Sequence, residues 1–230
     1  MTAPVFGATY VPPRIRLVLA AAITLPVAPL LPAPPDLPLL SVDGVLITIE
    51  QLVIGAALGF SLQLVFDSLA LGGQLIANGM GLGFGFNVDP IRGANTPVLG
   101  QLYVVLGTLV FLSLNGHLAL INTLIDSFTG LPVGTTGLDG PRWMALAMWG
   151  GKLFSGALSV ALPGVTALLV INLTFGMMSR AAPALNLFAV GLPVTLVFGL
   201  VIAMFGLTGL SHSFTLLLND AFGFVRTVTH

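Results

Sequence analysis

From Ala181 to Asn219 the chain reads AAPALNLFAVGLPVTLVFGLVIAMFGLTGLSHSFTLLLN, without a single Asp, Glu, Lys or Arg. A helix needs roughly 20 apolar residues to cross the hydrocarbon core of a bilayer, so this stretch exceeds one span. Two more charge-free stretches, Gly93 to Ile125 and Leu153 to Ser179, pass the same test. The composition agrees, with 56% of the 230 residues hydrophobic, 7% charged and a mean hydropathy of +1.06. Soluble domains carry about a quarter charged residues. The fold expected is all-α, an integral-membrane-type helical protein.

The same numbers exclude whole classes of function. Seven Lys plus Arg against eight Asp plus Glu leave a net charge of -1, so there is no basic stripe for nucleic acid. The absence of cysteine removes disulfides, thiol chemistry and Cys-ligated metals.

Working outward along the chain, Ile15 to Leu31 is apolar behind Arg14 and Arg16, which imitates a secretory signal. Pro12 and Pro13 before it, and Pro26, Pro29, Pro32, Pro34 and Pro35 after it, favour a short helix followed by an extended connector. A second segment, about 45–78, carries Glu50, Gln51, Gln63, Asp67 and Gln74, too many polar groups for a lipid-facing helix. Val98 to Leu124 forms a third, with Asn115, Gly116 and His117 inside it, and a turn-rich stretch runs from Thr129 to Arg142. Trp143 and Trp149 stand where aromatic residues mark a membrane interface. Segments four and five, about 143–162 and 165–178, are divided by Pro163 and Gly164, as one kinked element or a helical hairpin. The sixth, Ala184 to Leu210, is interrupted by Gly191 and Pro193. The tail, 211–230, reads as a separate amphipathic helix with Phe214, Leu217, Leu218 and Phe222 at helical spacing. With 28 Gly and 16 Pro, broken helices are expected. Irregular backbone survives at membrane depth only when buried in protein or lining a cavity, so this is not a freestanding bundle in lipid.

The candidate working part is the insert from Gly72 to Gly100, GGQLIANGMGLGFGFNVDPIRGANTPVLG. From Gly79 to Phe86, glycines 79, 81, 83 and 85 alternate with Met80, Leu82, Phe84 and Phe86. In an extended strip this puts bare backbone on one side and a greasy row on the other, a pattern suited to a seal or gate. A plain flexible connector is the competing reading. The run contains GxGxG, not GxGxxG, and lacks the GKS or GKT ending of a P-loop, which argues against nucleotide binding. Asp89-Pro90 and Arg92 act as a polar brake on the strip, with Asp89 and Arg92 able to pair across a turn.

Elsewhere, Gly55 and Gly59 form a G-x-x-x-G motif for close helix approach. His117 has no partner at metal spacing and reads as a hydrogen-bonded interior histidine, so no metal is expected. Ionisable groups within membrane segments are functional candidates by default, which singles out Glu50, Asp67, Asp126 and Arg180. Glu50 and Asp67 stand too many helical turns apart to form an acid pair, and Asp126 and Arg180 sit beside segment ends. No grouping of Ser, His and Asp suggests an enzyme, so no catalytic residue and no cofactor is expected.

Several motifs, taken in order, resemble the family of the flagellar biosynthesis protein FliR and its injectisome counterparts in type III secretion. At the amino-terminal end these are Ala3-Pro4, Val11-Pro12 with Arg14, and Ile54-Gly55 with Ala57-Leu58-Gly59-Phe60. Gln74, Met80-Gly81-Leu82, Phe84, Asp89-Pro90 and Pro97-Val98-Leu99 follow, then Phe111-Leu112, Asn115-Gly116-His117-Leu118 with Leu120-Ile121, and Leu131-Pro132 with Gly134. The carboxy-terminal signature is Leu162-Pro163, Asn172-Leu173, Gly176, Arg180 to Pro183, Asn186-Leu187-Phe188 and Gly191 to Thr195. The NGHL and RAAPxLNxF wording is nearer to the flagellar branch. Family members usually carry another apolar helix before the point that Ala3-Pro4 matches.

The resemblance implies one domain over 1–230, assembled with several copies each of FliP and FliQ into a helical export gate in the bacterial inner membrane, at the flagellar basal body. FlhB wraps nearby, FlhA is a neighbour, and unfolded substrate proteins pass through. It also implies that the loop at 79–97 plugs the pore; the alternating run then offers Met80, Leu82, Phe84 and Phe86 as the seal and Gly81, Gly83 and Gly85 as hinges, with Asp89, Pro90 and Arg92 beside them. Gly55, Gly59, Asn115, Gly116, His117, Arg180, Pro183, Asn186 and Pro193 are expected to serve helix packing and assembly. The competing classes are a non-gating structural subunit and an ion-coupled secondary transporter. The transporter would have discontinuous helices at Pro163, Pro183 and Pro193, with Glu50 or Asp67 coupling protons.

Overall fold

The computed structural model describes residues 3–4, 6–7, 11–32, 41–82, 98–134, 137–181 and 187–229. Among them every regular element is helical: α1 (Pro13–Val27) with a 3-10 turn (Ala28–Leu30), α2 (Val42–Gly79), α3 (Val98–Ser113), α4 (Gly116–Gly130), α5 (Gly140–Trp149), α6 (Gly151–Ala181) and α7 (Leu187–Thr229). Among the described residues four apolar stretches are long enough to cross a membrane, and the bent α3–α4 pair makes a fifth if it counts as one broken span. Apolar side chains cover the outside, as on α1, where no residue is buried and Leu17 is 72% exposed. Such a surface suits lipid or partner helices, not water.

Local chemistry sets most of the boundaries. Pro13 opens α1, where a missing N–H costs nothing. Ser41 Oγ accepts from the Gly44 N–H at 3.1 Å and starts α2. Asp139 caps α5 by accepting from the Arg142 N–H at 3.0 Å, so the helix begins inside the stretch read as turns. The connector expected after Pro32 lies mostly outside the described residues.

The structure changes some sequence expectations and decides between others. The third segment is two helices meeting at 71°, because Asn115 takes the left-handed conformation (φ 56, ψ 29) that Asn tolerates better than other side chains. Gly116 completes the elbow: a Cβ there would run into the Phe111 ring. Segments four and five join through Pro163 as one element, the first of the two readings, and not as a hairpin. The break falls at Gly150 and α6 continues through the proline, with the Thr166 hydroxyl 2.8 Å from the Leu162 carbonyl and 3.0 Å from that of Pro163. The tail is no separate helix but the end of α7, whose 43 residues pass Pro193 and Ser211 unbroken. Of its expected apolar face, Phe214 and Leu218 are buried and Leu217 and Phe222 half-buried. With 38 residues in α2, these two helices run about 57 and 64 Å at 1.5 Å per residue, far beyond the roughly 30 Å of a bilayer core.

The chain packs as two compact units. The first comprises Met1–Val65, Phe111–Gly151 and Leu218–His230. Its core gathers Ile54, Leu58, Leu131, Leu138, Leu146, Val225 and Val228. Trp149 closes it: the indole stacks on Phe224 with centroids 4.2 Å apart, and Nε1 donates to the Ser61 carbonyl at 3.1 Å. Trp149 is thus a core residue and not the interface marker its position suggested. The second unit comprises Phe66–Val110 and Lys152–Leu217. Leu69, Ala157, Ala161, Leu168 and Phe214 are fully buried in it, and Phe66 meets Phe214 edge-on at 5.3 Å.

Replacing Trp149 separates these contributions. Trp149→Phe keeps a stacked ring and loses one buried hydrogen bond, for an expected cost of about 1 kcal/mol. Trp149→Ala loses the packing as well and costs about 3–5 kcal/mol. Detergent unfolding of the purified protein followed by circular dichroism measures both; equal losses would show that the hydrogen bond carries the contact.

Candidate functional site

The insert leaves α2 through Gly79-Met80-Gly81, and here the chain is the end of a helix rather than an extended strip. Met80 N–H donates to the Ile76 carbonyl and Gly81 N–H to the Asn78 carbonyl, both at 3.0 Å. Gly81 has φ +81, the left-handed turn with which helices stop. The first glycines of the alternating run therefore serve a helix terminus. Met80 is 1% exposed, and a Cβ on Gly199 of α7 would collide with its side chain. Leu82, at 39% exposed, is the first apolar residue of the run to stand clear. Gly83, Phe84, Gly85, Phe86, Asp89, Pro90 and Arg92 lie outside the described residues.

The last carbonyls of a helix have no partner within it, and α6 and α7 approach them from the side. Asn172 Nδ2 of α6 donates to the Gly79 carbonyl at 3.1 Å. The Thr195 hydroxyl of α7 stands 3.5 Å from the Met80 carbonyl and 3.0 Å from that of Leu192, so its one proton favours its own helix. Leu168, one turn before Asn172, packs closely on Gly79, 3.2 Å from where a Cβ would stand.

The insert returns through Val98 into α3, and the two sides of the neck touch backbone to backbone. A Cβ on Gly73 would stand 2.8 Å from Gly100 Cα and the Leu99 carbonyl, and one on Gly100 would stand 2.8 Å from the Ala70 carbonyl. Gly72 offers α6 a similar approach, at 3.1 Å from the Ala157 carbonyl. Neither backbone can yield at the α2–α3 crossing as a flexible side chain could. The insert from Gly72 to Gly100 thus has helical ends, as the segment bounds near 78 and 98 implied, and its glycines 72, 73 and 100 are crossing points.

The remaining candidates do not gather at the neck. Gly55 has nothing within 4 Å of an added Cβ. Gly55 and Gly59 instead line an apolar cavity of about 220 Å³ in the first unit, with Leu19, Ile23 and Leu124 among its walls. Asn115 and Gly116 form the α3–α4 elbow, while His117 Nδ1 is buried with no hydrogen-bond partner among the described residues, contrary to the interior hydrogen bond expected. Glu50 is half-buried with its carboxylate beside Gly137, and Asp67, Asp126 and Arg180 are exposed. Pro193 is an exposed residue inside α7, and Pro183 and Asn186 fall outside the described residues. Among the described residues no three of His, Cys, Asp and Glu come together as a metal site. Gly73, Gly100, Thr195 and Gly199 were not singled out as site residues from the sequence. The available signal was a glycine or hydroxyl inside an otherwise continuous apolar helix.

Residues 1–221 match the family model described as "Bacterial export proteins, family 1". The flagellar biosynthetic protein FliR of Escherichia coli (strain K12) is 41% identical over 199 residues, which cover 86% of this chain and 76% of that protein. The FliR of Pectobacterium carotovorum subsp. carotovorum is 43% identical over 199 residues, with the same coverage. That of Aquifex aeolicus (strain VF5) is 31% identical over 206 residues, covering 90% of this chain and 80% of its own.

The packing of Met80 on Gly199 makes a compensation test possible. Gly199→Ala is expected to destabilise by about 1–3 kcal/mol, the usual cost of forcing a methyl into a packed site. Adding Met80→Ala vacates the space and should recover part of that loss. Thermal melts of the single and double variants read the effect, and strictly additive losses would show that Met80 does not occupy the site.

Proposed function

Because this chain belongs to family 1 of the bacterial export proteins, with the FliR proteins, and is a membrane component of the flagellar export apparatus, we propose that it forms part of the secretion pore with FliP and FliQ and gates that pore with the segment 79–97. The observation that carries this reading is the neck. The Gly73–Gly100 crossing ties together the helices that lead into and out of the insert, so whatever the segment does is done from a fixed base. In this reading Met80 is the buried anchor, Gly81 the turning point, and Leu82, Phe84 and Phe86 the apolar seal that closes a pore by excluding water. Gly83 and Gly85 let the strip swing aside for an unfolded substrate, and Asp89, Pro90 and Arg92 limit its travel.

The partners follow from the surface. Apolar faces on every membrane-length helix need cover, which we assign to several copies of FliP and FliQ in the bacterial inner membrane at the flagellar basal body, with FlhB and FlhA nearby. The Gly55–Gly59 face, the Asn115–His117 elbow with an imidazole nitrogen that has no partner among the described residues, and Arg180, Pro183, Asn186 and Pro193 are assigned to that assembly. The transporter alternative loses support because Pro163 and Pro193 lie inside continuous helices, whereas a midplane transport site is built from broken ones.

Deleting Gly81 to Phe86 should leave the assembled complex intact and raise its ion conductance in planar bilayers. Native mass spectrometry of the tagged chain checks assembly and should show multiple copies of two other small membrane proteins. A stable homodimer, or a deletion variant as tight as the parent complex, would refute the gate.

A further inference from the structure

We infer that Asn172 is a positioning residue of the gate, which fastens the last turn of α2 to α6 and so sets the direction in which the chain leaves Gly81. The inference rests on reading segment 79–97 as that gate.

Four observations converge on it. The Gly79 carbonyl is one of the terminal acceptors that α2 cannot satisfy from within, and Asn172 Nδ2 meets it at 3.1 Å. Asn172 is exposed on α6, and where such a face meets lipid or partner helices an unmet carbonyl is costly, so the contact is worth more there than at a wet surface. Asn172 stands in the charge-free stretch of α6, where a carboxamide is itself expensive unless it is used. Finally, α6 holds the same turn at two points on one face: Leu168 packs under Gly79, and Asn172, four residues on, bonds above it. The neighbouring tie from Thr195 is weaker, because its shorter bond goes to Leu192. Asn172 thus supplies the firm polar hold and Met80, seated on Gly199, the apolar one.

The chemistry restricts what can replace it. The bond needs a side-chain N–H donor at a set reach, so Asn172→Leu keeps the approximate volume and removes the donor, while Asn172→Gln keeps a donor on a longer arm.

The test uses the assembled membrane complex. Amide hydrogen exchange at Met80 to Leu82 reports the fastening directly, and conductance in planar bilayers reports the gate. Asn172→Leu is expected to raise local exchange about five- to tenfold, the factor that one lost intramolecular hydrogen bond allows, and to raise conductance. Exchange at Trp149 and its neighbours should stay unchanged, and Asn172→Gln should restore part of both readings. If Asn172→Leu fails to assemble, Asn172→Ala replaces it in the same comparison. Unchanged exchange at Met80 to Leu82 in the assembled variant overturns the positioning role. Raised exchange with unchanged conductance supports the fastening and counts instead against the gate reading on which it was built.

Discussion

Inside a hydrocarbon layer no solvent completes the hydrogen bonds of a peptide group, and the helices of this chain are shaped by that constraint. It explains why α6 runs on through Pro163 and α7 through Pro193, where a soluble helix would more readily end. It also explains the hydroxyls of Thr123, Thr166 and Thr215, each turned back 2.7–2.8 Å onto a carbonyl one turn earlier. The helices stop where a side chain or a special backbone conformation meets the loose ends: Asp139 at the start of α5, left-handed Asn115 between α3 and α4, and Gly81 with Asn172 at the end of α2.

The second constraint is steric, and glycine carries it. At Gly73 and Gly100 two backbones touch, at Gly199 a methionine side chain fills the missing side chain's place, and at Gly116 a phenylalanine ring does so. These contacts concentrate rigidity around the neck of the insert and the α3–α4 elbow. Gly55 behaves differently, facing open space, so glycine in this protein has at least three roles that composition alone does not separate: crossing, turning and leaving room for something else.

The proposed gate would need a fixed base, and the described start of the alternating run supplies one. Met80 is buried and held, whereas Leu82, two residues later, stands partly exposed. Holding Met80 removes conformational freedom at the base of the segment before the segment takes up any role. Two routes into the neck, the amide of Asn172 and the packing of Met80, make the anchoring divisible by mutation.

The sequence by itself determined that this is an all-α membrane protein, through three charge-free stretches and a charged fraction of 7%, far below the typical soluble value of about a quarter. It also carried the family, through Asn115-Gly116-His117-Leu118 and the motif that opens at Arg180, and it located the insert. Periodicity and composition report on local hydrophobicity, which is why these were legible. The tertiary structure alone decided that Pro163 does not break a helix, that Trp149 is core, that 211–229 belongs to α7, and that Gly79 to Gly81 end α2 instead of starting a strip. Each of those depends on what stands opposite in space: Ser61 under an indole, Asn172 beside a carbonyl, Gly199 beneath a methionine. A glycine in a string of letters looks the same whether another backbone, a side chain or nothing lies against it, and only the folded chain distinguishes them.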